Sequence, residues 1–278
     1  MSRITTRFAE LKAAGETALI PFITAGDPKP EATVRLMHTL VSAGADVIEL
    51  GIPFSDPMAD GPVIQRANER ALRRHTSLQD VLAMVAEFRN TDMTTPVVLM
   101  GYLNPIETMG NDAFARAAAR AGVDGTIIVD MPPEEGGHLL EALRTNGIDP
   151  IFLLAPTTTA ERTQRICDAA SGFLYYVSLR GVTGASRLDI SEVQNRLGAI
   201  KAYTELPVGV GFGINSPETA GRVAQFADAV IVGSAIVGLI EQNQDAELKR
   251  LAAAVFDFVH SLSMSVTREK TQIVSTTA

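Results

Sequence analysis

Short apolar runs recur along the chain at regular intervals. They are ALIPFIT from Ala18, VIELGI from Val47, PVVLMGY from Pro96, GTIIVD from Gly125, DPIFLLA from Asp149, FLYYVS from Phe173, PVGVGFG from Pro207 and AVIVGS from Ala229. Each run has the length and the β-branched or aromatic content of a strand. Most of them lack a polar alternation, which is typical of strands covered on both faces in a parallel sheet. The pattern therefore predicts a sheet of buried parallel strands.

Segments with helical spacing separate these runs. Apolar residues four positions apart mark one face of each segment, as in Met37 with Val41, Phe114 with Ala118, Leu139 with Leu143 and Leu251 with Val255. Gly44, Gly122 and Gly147 stand just before predicted strands, where a helix must end, and glycine suits the left-handed helix cap. The predicted order is strand, helix, strand, helix.

This alternation predicts one α/β domain. The units follow one another with no change of composition and no Ser- or Gly-rich linker, which favours a closed (β/α)8 barrel, or TIM barrel, over an open doubly wound sheet. We expect the barrel to occupy residues 1–266, with an extra helix at the N-terminus and long loops after strands 2 and 6. Residues 267–278 are expected to form a C-terminal tail with a tendency to disorder.

Composition excludes several classes of protein. With 46% hydrophobic and 20% charged residues the chain can bury a large core, and its net charge of -8 gives no general attraction for nucleic acid or an anionic membrane. No apolar run approaches the roughly 20 residues of a membrane span. The single Cys167 cannot form an intrachain disulfide, and the N-terminus does not resemble a signal peptide. The expected compartment is the cytoplasm.

Glu49 is a carboxylate inside a predicted strand. Its neighbours Ile48 and Leu50 point outward to the helices, so strand alternation directs Glu49 into the barrel. Partial desolvation near the barrel mouth raises the pKa of a carboxyl toward the value that a general acid/base needs at neutral pH. The alternative is a structural ion pair, but no strand segment contains Arg or Lys. Glu49 is therefore the first candidate catalytic residue.

The loop GIPFSDPMADGP after the second strand carries two further carboxylates, Asp56 and Asp60. Its three prolines restrict the backbone, which lowers the entropy cost of holding a carboxylate over the barrel mouth. One of the two aspartates can act together with Glu49. The alternative is that both only cap turns, as loop aspartates often do, and spacing does not decide between these interpretations.

Two glycine clusters end consecutive strands. Gly209, Gly211 and Gly213 end the seventh strand, and Gly233 with Ser234 ends the eighth. Barrels of this kind often bind a phosphate there through backbone N–H groups, although glycines can also be plain turn residues. The pattern GVGFG lacks the spacing of the dinucleotide fingerprint. The two clusters together predict a phosphate site.

Other residues narrow the chemistry. The segment SLRGVTGASRLD after the sixth strand has the small and polar residues of a mobile lid, with an ordinary connection as the alternative. All five lysines fall outside the strand ends, and the four histidines are scattered, so neither an imine-forming lysine nor a metal site is expected. Cys167 is expected to pack in a helix. The residues therefore predict acid/base chemistry on a small phosphorylated substrate.

At residues 48–67 the chain reads IELGIPFSDPMADGPVIQRA, and this segment closely resembles the tryptophan synthase α subunit family. The resemblance extends over almost the whole chain, through PFITAGDP at 21–28, MGYLNP at 100–105, YYVSLRGVTG at 175–184, GFGINSPE at 211–218 and GSAIV at 233–237. It implies a lyase that cleaves indole-3-glycerol phosphate to indole and glyceraldehyde 3-phosphate. It also implies an α2β2 heterotetramer in which the β subunit carries pyridoxal phosphate and this chain has no cofactor.

The resemblance assigns roles to individual residues. Glu49 matches the general acid/base of the family, Asp60 the residue that binds the indole N–H, and Asp56 a loop that faces the β subunit. Thr183 would close onto Asp60, and Asn104 with Pro105 resembles a segment of the β interface. The residues that match the substrate pocket are Phe22, Tyr102, Tyr175 and Phe212 around the indole, and Gly184, Gly213, Gly233 and Ser234 around the phosphate.

The chain departs from the usual family pattern at Met58, Met100 and Met131, where leucine is common, and at Arg180 in the predicted lid. The methionines conserve volume and character. Two alternatives to the lyase remain: another phosphate-binding barrel enzyme, such as a sugar-phosphate isomerase, and a catalytically silent barrel that activates a partner. The isomerase does not predict Glu49 and Asp60 as a pair.

Overall fold

A computed structural model of the chain describes residues 2–178, 190–211 and 213–276, with side chains of the last helix as far as residue 267. The strands are β1 (Ala18–Thr24), β2 (Ile48–Gly51), β3 (Val97–Gly101), β4 (Gly125–Ile128), β5 (Asp149–Leu154), β6 (Leu174–Val177), β7 (Val208–Gly211) and β8 (Ala229–Val232). The helices are α1 (Arg3–Ala14), α2 (Pro30–Ser42), α3 (Pro62–Arg73), α4 (Leu78–Phe88), α5 (Leu103–Met109), α6 (Asn111–Ala121), α7 (Gly137–Thr145), α8 (Ala160–Ala169), α9 (Ile190–Lys201), α10 (Pro217–Ala224), α11 (Ser234–Gln242) and α12 (Leu248–Thr276).

The strands form a closed parallel barrel in chain order. Each strand pairs with the next, and β8 pairs with β1 to complete the ring. This confirms the predicted (β/α)8 barrel, and the eight strands lie within the eight apolar runs. In the register of β1 and β2, Phe22 stands beside Glu49. The barrel therefore brings the candidate acid next to an aromatic side chain predicted for the indole pocket.

Two apolar layers stabilise the barrel. The larger layer lies between the strands and the surrounding helices, and Leu36 and Phe88 belong to it. The smaller layer fills the barrel interior, where Ile127, Ile151 and Ile231 pack together. This two-sided burial explains why the strands read as continuous apolar runs.

Helix α1 covers the N-terminal end of the barrel, as the predicted extra helix. Ser2 caps it by accepting a hydrogen bond from the Thr5 N–H. The buried side chains of Ile4 and Phe8 join the interior layer. Arg7 binds the carboxylate of Asp46 at 2.6 Å and so ties the helix to the start of the second βα unit. The barrel is therefore filled at this end, and open space is left at the other.

Glycines that precede strands adopt the predicted left-handed conformation, with φ of 102° at Gly44, 88° at Gly122 and 72° at Gly147. Aspartates at strand starts have a second role that the sequence analysis did not predict. Their carboxylates accept the backbone N–H of a residue at the start of the preceding strand. These bonds are Leu19 N to Asp46 at 2.7 Å, Val97 N to Asp124 at 2.8 Å and Val208 N to Asp228 at 2.9 Å.

The long connection after β2 contains the predicted loop, which is followed by helix α3. The connection after β6 leads to α9, and its residues 179–189 lie outside the described residues. The division into a barrel of residues 1–266 and a tail of residues 267–278 stays a prediction, and helix α12 itself runs to Thr276.

Candidate active site

A cavity of about 340 Å³ opens at the C-terminal ends of the strands. Its described lining is mainly apolar, with two carboxyl groups and a cluster of small residues. The residues that line it are Phe22, Glu49, Asp60, Gly61, Pro62, Val63, Ile64, Met100, Tyr175, Gly213, Ile214, Ile231, Gly233 and Ser234. An apolar hollow with a few polar groups at this end of a barrel is the usual form of a substrate site.

Glu49 lies in the wall of this cavity and is almost fully enclosed, with 1% of its surface exposed. Neither carboxyl oxygen has a hydrogen-bond partner among the described residues. Burial, together with the nearby charge of Asp60, raises the pKa of Glu49 to about 8. Glu49 is therefore protonated at neutral pH and has a free proton to donate to a group in the cavity.

Asp60 lines the same cavity from the loop before α3. Burial raises the pKa of Asp60 to about 6, while hydrogen bonds from Tyr102 and Asn68 act in the opposite direction. The Gln65 side chain donates a hydrogen bond of 2.9 Å to the Asp60 carbonyl oxygen, which fixes the loop on the first turn of α3. Asp60 is mostly ionised at neutral pH.

Glu49 and Asp60 have different pKa values because their environments differ. Among the residues that the structure describes, none donates a hydrogen bond to the Glu49 carboxyl oxygens, whereas Asp60 accepts a hydrogen bond of 3.3 Å from the Tyr102 hydroxyl. Donors that bind the ionised form lower the pKa of a carboxyl. Two carboxyl groups whose pKa values differ in this way can act in one site as a proton donor and as a stabilising negative charge.

Aromatic side chains shape the cavity around the carboxyls. Phe22 and Tyr175 line it directly. Tyr102 lies behind Asp60, lines a smaller adjoining cavity and stacks on Phe54 with ring centroids 5.1 Å apart. Burial, followed by the charge of Glu49, raises the pKa of the Tyr175 hydroxyl well above its ordinary value, so this group stays neutral. The three predicted aromatic residues within the described chain therefore surround the carboxyl pair.

Small residues form another part of the cavity lining. Gly213 has a φ of 76°, a conformation that favours glycine. Gly233 and Ser234 lie where helix α11 begins, and their position brings the N-terminal end of that helix to the cavity. Among the lining residues that the structure describes there is no Lys or Arg. An anion at this point would rely on backbone N–H groups and the helix dipole.

Some predicted site residues lie elsewhere. Asp56 is exposed on the loop after β2, where it accepts a hydrogen bond of 2.5 Å from Ser55, and it does not line the cavity. The structure therefore distinguishes the two loop aspartates, because Asp60 lines the cavity and Asp56 does not. The predicted site residues outside the described part of the chain are Thr183, Gly184 and Phe212, and Arg180 is outside it as well.

Helix α3 forms a wall of the site that the sequence analysis missed. Val63 and Ile64 from its first turn line the main cavity, and the buried Asn68 lines the smaller cavity beside Asp60. The apolar spacing of Val63, Ile64 and Ala67 immediately after the Asp60 loop was the available signal. The side of the barrel against which this helix packs was not evident from spacing alone.

Within the described ranges, no three His, Cys, Asp or Glu side chains are grouped so that they could hold a metal ion. Over the same ranges, no helix combines the length and the apolar character that crossing a membrane requires.

The fold and the cavity define a barrel enzyme. Its site combines a protonated carboxyl group, an ionised carboxylate and a group of small residues in the cavity wall. A family model described as "Tryptophan synthase alpha chain" matches residues 8–264. The chain belongs to the tryptophan synthase alpha chain family. The alpha chain of Thioalkalivibrio sulfidiphilus is 64% identical over 251 residues, which cover 90% of this chain and 94% of that relative. The alpha chain of Nitrosococcus oceani is 60% identical over 245 residues, which cover 88% and 90%.

Solved structures agree with this assignment. The subunit alpha of tryptophan synthase from Legionella pneumophila is 49% identical and superposes with a TM-score of 0.88 over 96% of this chain and 98% of that chain. A chain of tryptophan synthase from M. tuberculosis, in an aminoacrylate-bound form, is 38% identical with a TM-score of 0.84 over 96% and 100%. These matches do not favour the alternative of a sugar-phosphate isomerase.

Proposed function

We propose that this chain cleaves indole-3-glycerol phosphate to indole and glyceraldehyde 3-phosphate, as the α subunit of a tryptophan synthase. The observation that carries the proposal is the pair formed by Glu49 and Asp60 in one apolar cavity. Glu49 is protonated and has no hydrogen-bond partner among the described residues, while Asp60 is mostly ionised and held by donors. A retro-aldol cleavage with a carbon leaving group needs both of these states.

Glu49 acts first as an acid and then as a base. Its proton is transferred to C3 of the indole, and positive charge develops at the ring nitrogen. The glycerol hydroxyl next to the ring then loses its proton to the Glu49 carboxylate, a carbonyl forms at that carbon, and the carbon–carbon bond breaks. The bonding electrons return to the ring and restore neutral indole. Glu49 ends the cycle protonated, so no other acid or base is consumed.

Asp60 stabilises the charge that develops during the first step. Its carboxylate accepts a hydrogen bond from the indole N–H, and this bond strengthens as the ring nitrogen becomes positive. An interaction that is stronger in the transition state than in the ground state accelerates the reaction. The hydrogen bond from Tyr102 supports this role because it helps to keep Asp60 ionised.

The phosphate of the substrate would lie at Gly213, Gly233 and Ser234. These residues line the cavity, and helix α11 begins at Ser234. Phosphate groups bind well at helix N-termini because the N–H groups and the dipole both favour negative charge. Thr183, Gly184 and Phe212, which the family resemblance adds to the substrate site, remain predictions.

The β subunit is the proposed partner, in an α2β2 heterotetramer. Met58 is 85% exposed on the loop that also carries Asp56, and Asn104 is exposed at the start of α5. The segments that the family resemblance assigns to the β interface are therefore accessible to a partner. The pyridoxal phosphate expected in the β subunit supplies chemistry to that subunit, and no step proposed for this chain uses it.

The proposal is tested by measuring indole release from indole-3-glycerol phosphate, with and without a β subunit. We expect turnover by the purified chain and strong stimulation by the partner. The change Glu49→Gln should reduce indole release by at least about 100-fold, because general acid–base catalysis contributes this much or more. The change Glu31→Gln alters an exposed glutamate on α2 and should have no effect.

Absence of indole release under both conditions, or near-normal release by the Glu49→Gln chain, would refute the proposed reaction. Isomerase turnover without indole release would establish the alternative barrel enzyme. Stimulation of the partner by a chain with no turnover of its own would instead identify a silent activator.

A further inference from the structure

Four charged side chains join three elements on one side of the site. Asp27 follows β1, Arg66 and Arg70 lie on α3, and Glu241 lies in the last turn of α11. We call these four residues the Arg70 cluster. None of them lines the main cavity.

Arg70 is the centre of this cluster. Its guanidinium donates two hydrogen bonds to the two Asp27 carboxylate oxygens, at 2.7 and 3.0 Å, and a third to Glu241 at 2.8 Å. The side chain of Asp27 is fully buried, and only 11% of the Arg70 side chain is exposed. Bidentate hydrogen bonds between an arginine and a carboxylate fix the relative orientation of the two side chains as well as their distance. The cluster therefore constrains how α3 is placed relative to the loop after β1.

Arg66 adds a second connection between the helices. It donates hydrogen bonds of 2.7 and 2.8 Å to the two carboxylate oxygens of Glu241. Glu241 is thus bound by two arginines that lie one turn apart on α3. Within the described chain, ion pairs between α3 and α11 occur only at Glu241. A substitution at Glu241 therefore removes both ion pairs between the two helices.

The two helices reach opposite ends of the proposed substrate. Helix α3 begins at Pro62, two residues after Asp60, and its Gln65 side chain donates a hydrogen bond to the Asp60 carbonyl oxygen. The first turn of the helix lines the cavity. Helix α11 begins at Ser234, in the proposed phosphate site. Between the helices, Ala67 and Val237 pack together with Phe22 in a small apolar cluster. The separation of the two helices consequently sets the separation of Asp60 from the phosphate site.

We propose that the Arg70 cluster fixes the distance between the indole end and the phosphate end of the cavity, and that Arg70 and Glu241 are positioning residues for the cleavage. This inference rests on the proposed function. A ligand that spans both ends is strained if the two helices shift, whereas a ligand that occupies one end follows that end. Displacements of about 1 Å can cost about 100-fold in rate.

The test compares ligands that span the cavity with ligands that do not. The change Glu241→Gln removes the charge on α11 and leaves the pair of Arg70 with Asp27 in place. The probes are indole, glycerol 3-phosphate and an unreactive indole joined to a phosphate by a three-carbon chain. We expect the affinities of the two fragments to stay within about twofold, the affinity of the joined ligand to fall about fivefold to tenfold, and kcat/KM for cleavage to fall at least about tenfold.

Glu69→Gln is the matched control. It removes a glutamate from α3 that pairs with Arg73 on the same helix, and both side chains are largely exposed, at 62% and 72%. All three affinities and kcat/KM should be unchanged. If the cluster only stabilised the fold, Glu241→Gln would lower the unfolding midpoint, and the affinity for the joined ligand would change no more than the affinities for the two fragments.

Unchanged affinity for the joined ligand in folded Glu241→Gln protein overturns the proposal. An equal loss for glycerol 3-phosphate alone also overturns it, because that result places the effect in the phosphate site only. If Glu241→Gln does not fold, Arg70→Lys replaces it in the same comparison. Lysine keeps the positive charge of Arg70 but cannot form the bidentate hydrogen bonds. The ligand affinities require no turnover, so a parent chain that fails to cleave the substrate refutes the proposed function without deciding this inference.

Discussion

The Tyr102 hydroxyl donates a hydrogen bond of 3.3 Å to Asp60 Oδ2 and accepts one of 3.0 Å from the Ala59 N–H. The first of these bonds favours the ionised form of Asp60 and lowers its pKa, against the effect of burial. Tyr102 therefore supports the charge state that Asp60 needs, although it does not line the main cavity.

Tyr102→Phe should raise the pKa of Asp60 above about 6, because the donor is lost while burial persists. The ionised form of Asp60 is then populated only at higher pH. We expect the acidic limb of kcat/KM for indole release to move to higher pH, with a loss of about tenfold at pH 6 and a smaller loss at pH 8. A pH profile measures this directly. Tyr203→Phe, at a partly exposed tyrosine after α9, is the control, and an acidic limb that does not move would contradict the prediction.

Glu49 should make the fold less stable as the pH rises. Its pKa is raised from 4.5 to about 8 in the folded chain, so between these values the folded state binds a proton that the unfolded state has lost. The stabilisation by this proton is full below about pH 4.5 and disappears as the pH rises through 8. Glu49→Gln removes the effect. The variant should gain up to a few kcal/mol over the parent between about pH 5 and 8.

Urea unfolding at several pH values measures this gain. Glu31→Gln should show no gain that depends on pH, since Glu31 is exposed. A difference between Glu49→Gln and the parent that stays constant over this range would show that Glu49 titrates at its ordinary pKa in the folded chain.

Asp60→Asn should lower the pKa of Glu49 from about 8, because one cause of the raised value is the Asp60 charge. Burial is the larger cause and remains, so the pKa should stay above 4.5. Titration of carboxyl-labelled glutamate by NMR measures the change. Asp56→Asn alters the exposed aspartate of the same loop and should leave Glu49 unaffected. A Glu49 pKa that is the same in the parent and in Asp60→Asn would mean that the two carboxyls do not interact.

Gly211→Ala should displace Tyr175. A methyl group at this position would meet the Tyr175 hydroxyl oxygen at 2.2 Å and two ring carbons at 2.5 Å. Because Tyr175 is buried and lines the cavity, its ring can move only by changing the shape of the site. We expect a raised KM and a loss of about 1–3 kcal/mol in the free energy of unfolding.

Gly209→Ala is the comparison for this change. Its nearest contact would be the flexible end of Ile231, at 3.0 Å. Thermal unfolding and steady-state kinetics should show a smaller effect than for Gly211→Ala. Equal effects at the two positions would indicate that both changes act through the strand and not through Tyr175.

Local pattern was sufficient to predict the barrel and the orientation of Glu49. The strands are covered on both faces, so they read as apolar runs, and the two-residue period of a strand directs Glu49 into the cavity. The closeness of Asp60 to Glu49 did not follow from spacing, because it depends on the path of the loop between them. The family resemblance supplied that choice, and the structure brings both carboxyls to one cavity.

Contacts between distant positions could not be predicted in the same way. Arg70 binds Glu241, which lies 171 positions further along the chain. A pair of this kind gives no periodic signal in one sequence. The bonds from strand N–H groups to Asp46, Asp124 and Asp228 also join distant positions. The first two of these aspartates follow a glycine by two residues, so the Gly-x-Asp pattern before a strand is a sequence signal in addition to the helix cap that the glycine predicts.

Asp124 should be the most important of these aspartates for stability. It accepts hydrogen bonds of 2.8 Å from Arg89 and from the Val97 N–H, and it binds Arg3 at 2.9 Å. Arg89 is buried, and burial lowers the pKa of its guanidinium, whereas the Asp124 carboxylate acts in the opposite direction and stabilises the buried charge.

Asp124→Ala leaves the buried Arg89 charge without this partner. Breaking a buried ion pair on one side typically costs about 3–5 kcal/mol, and we expect a loss of about 3 kcal/mol in the free energy of unfolding, measured by urea denaturation. Asp112→Ala, at an exposed aspartate paired with His138, should change it by less than about 0.5 kcal/mol. The KM for indole-3-glycerol phosphate should be unchanged in both variants, because Asp124 lies at the N-terminal end of the strands and the cavity lies at the other end. An altered KM in folded Asp124→Ala protein would mean that the two ends of the barrel are coupled, which this structure does not predict.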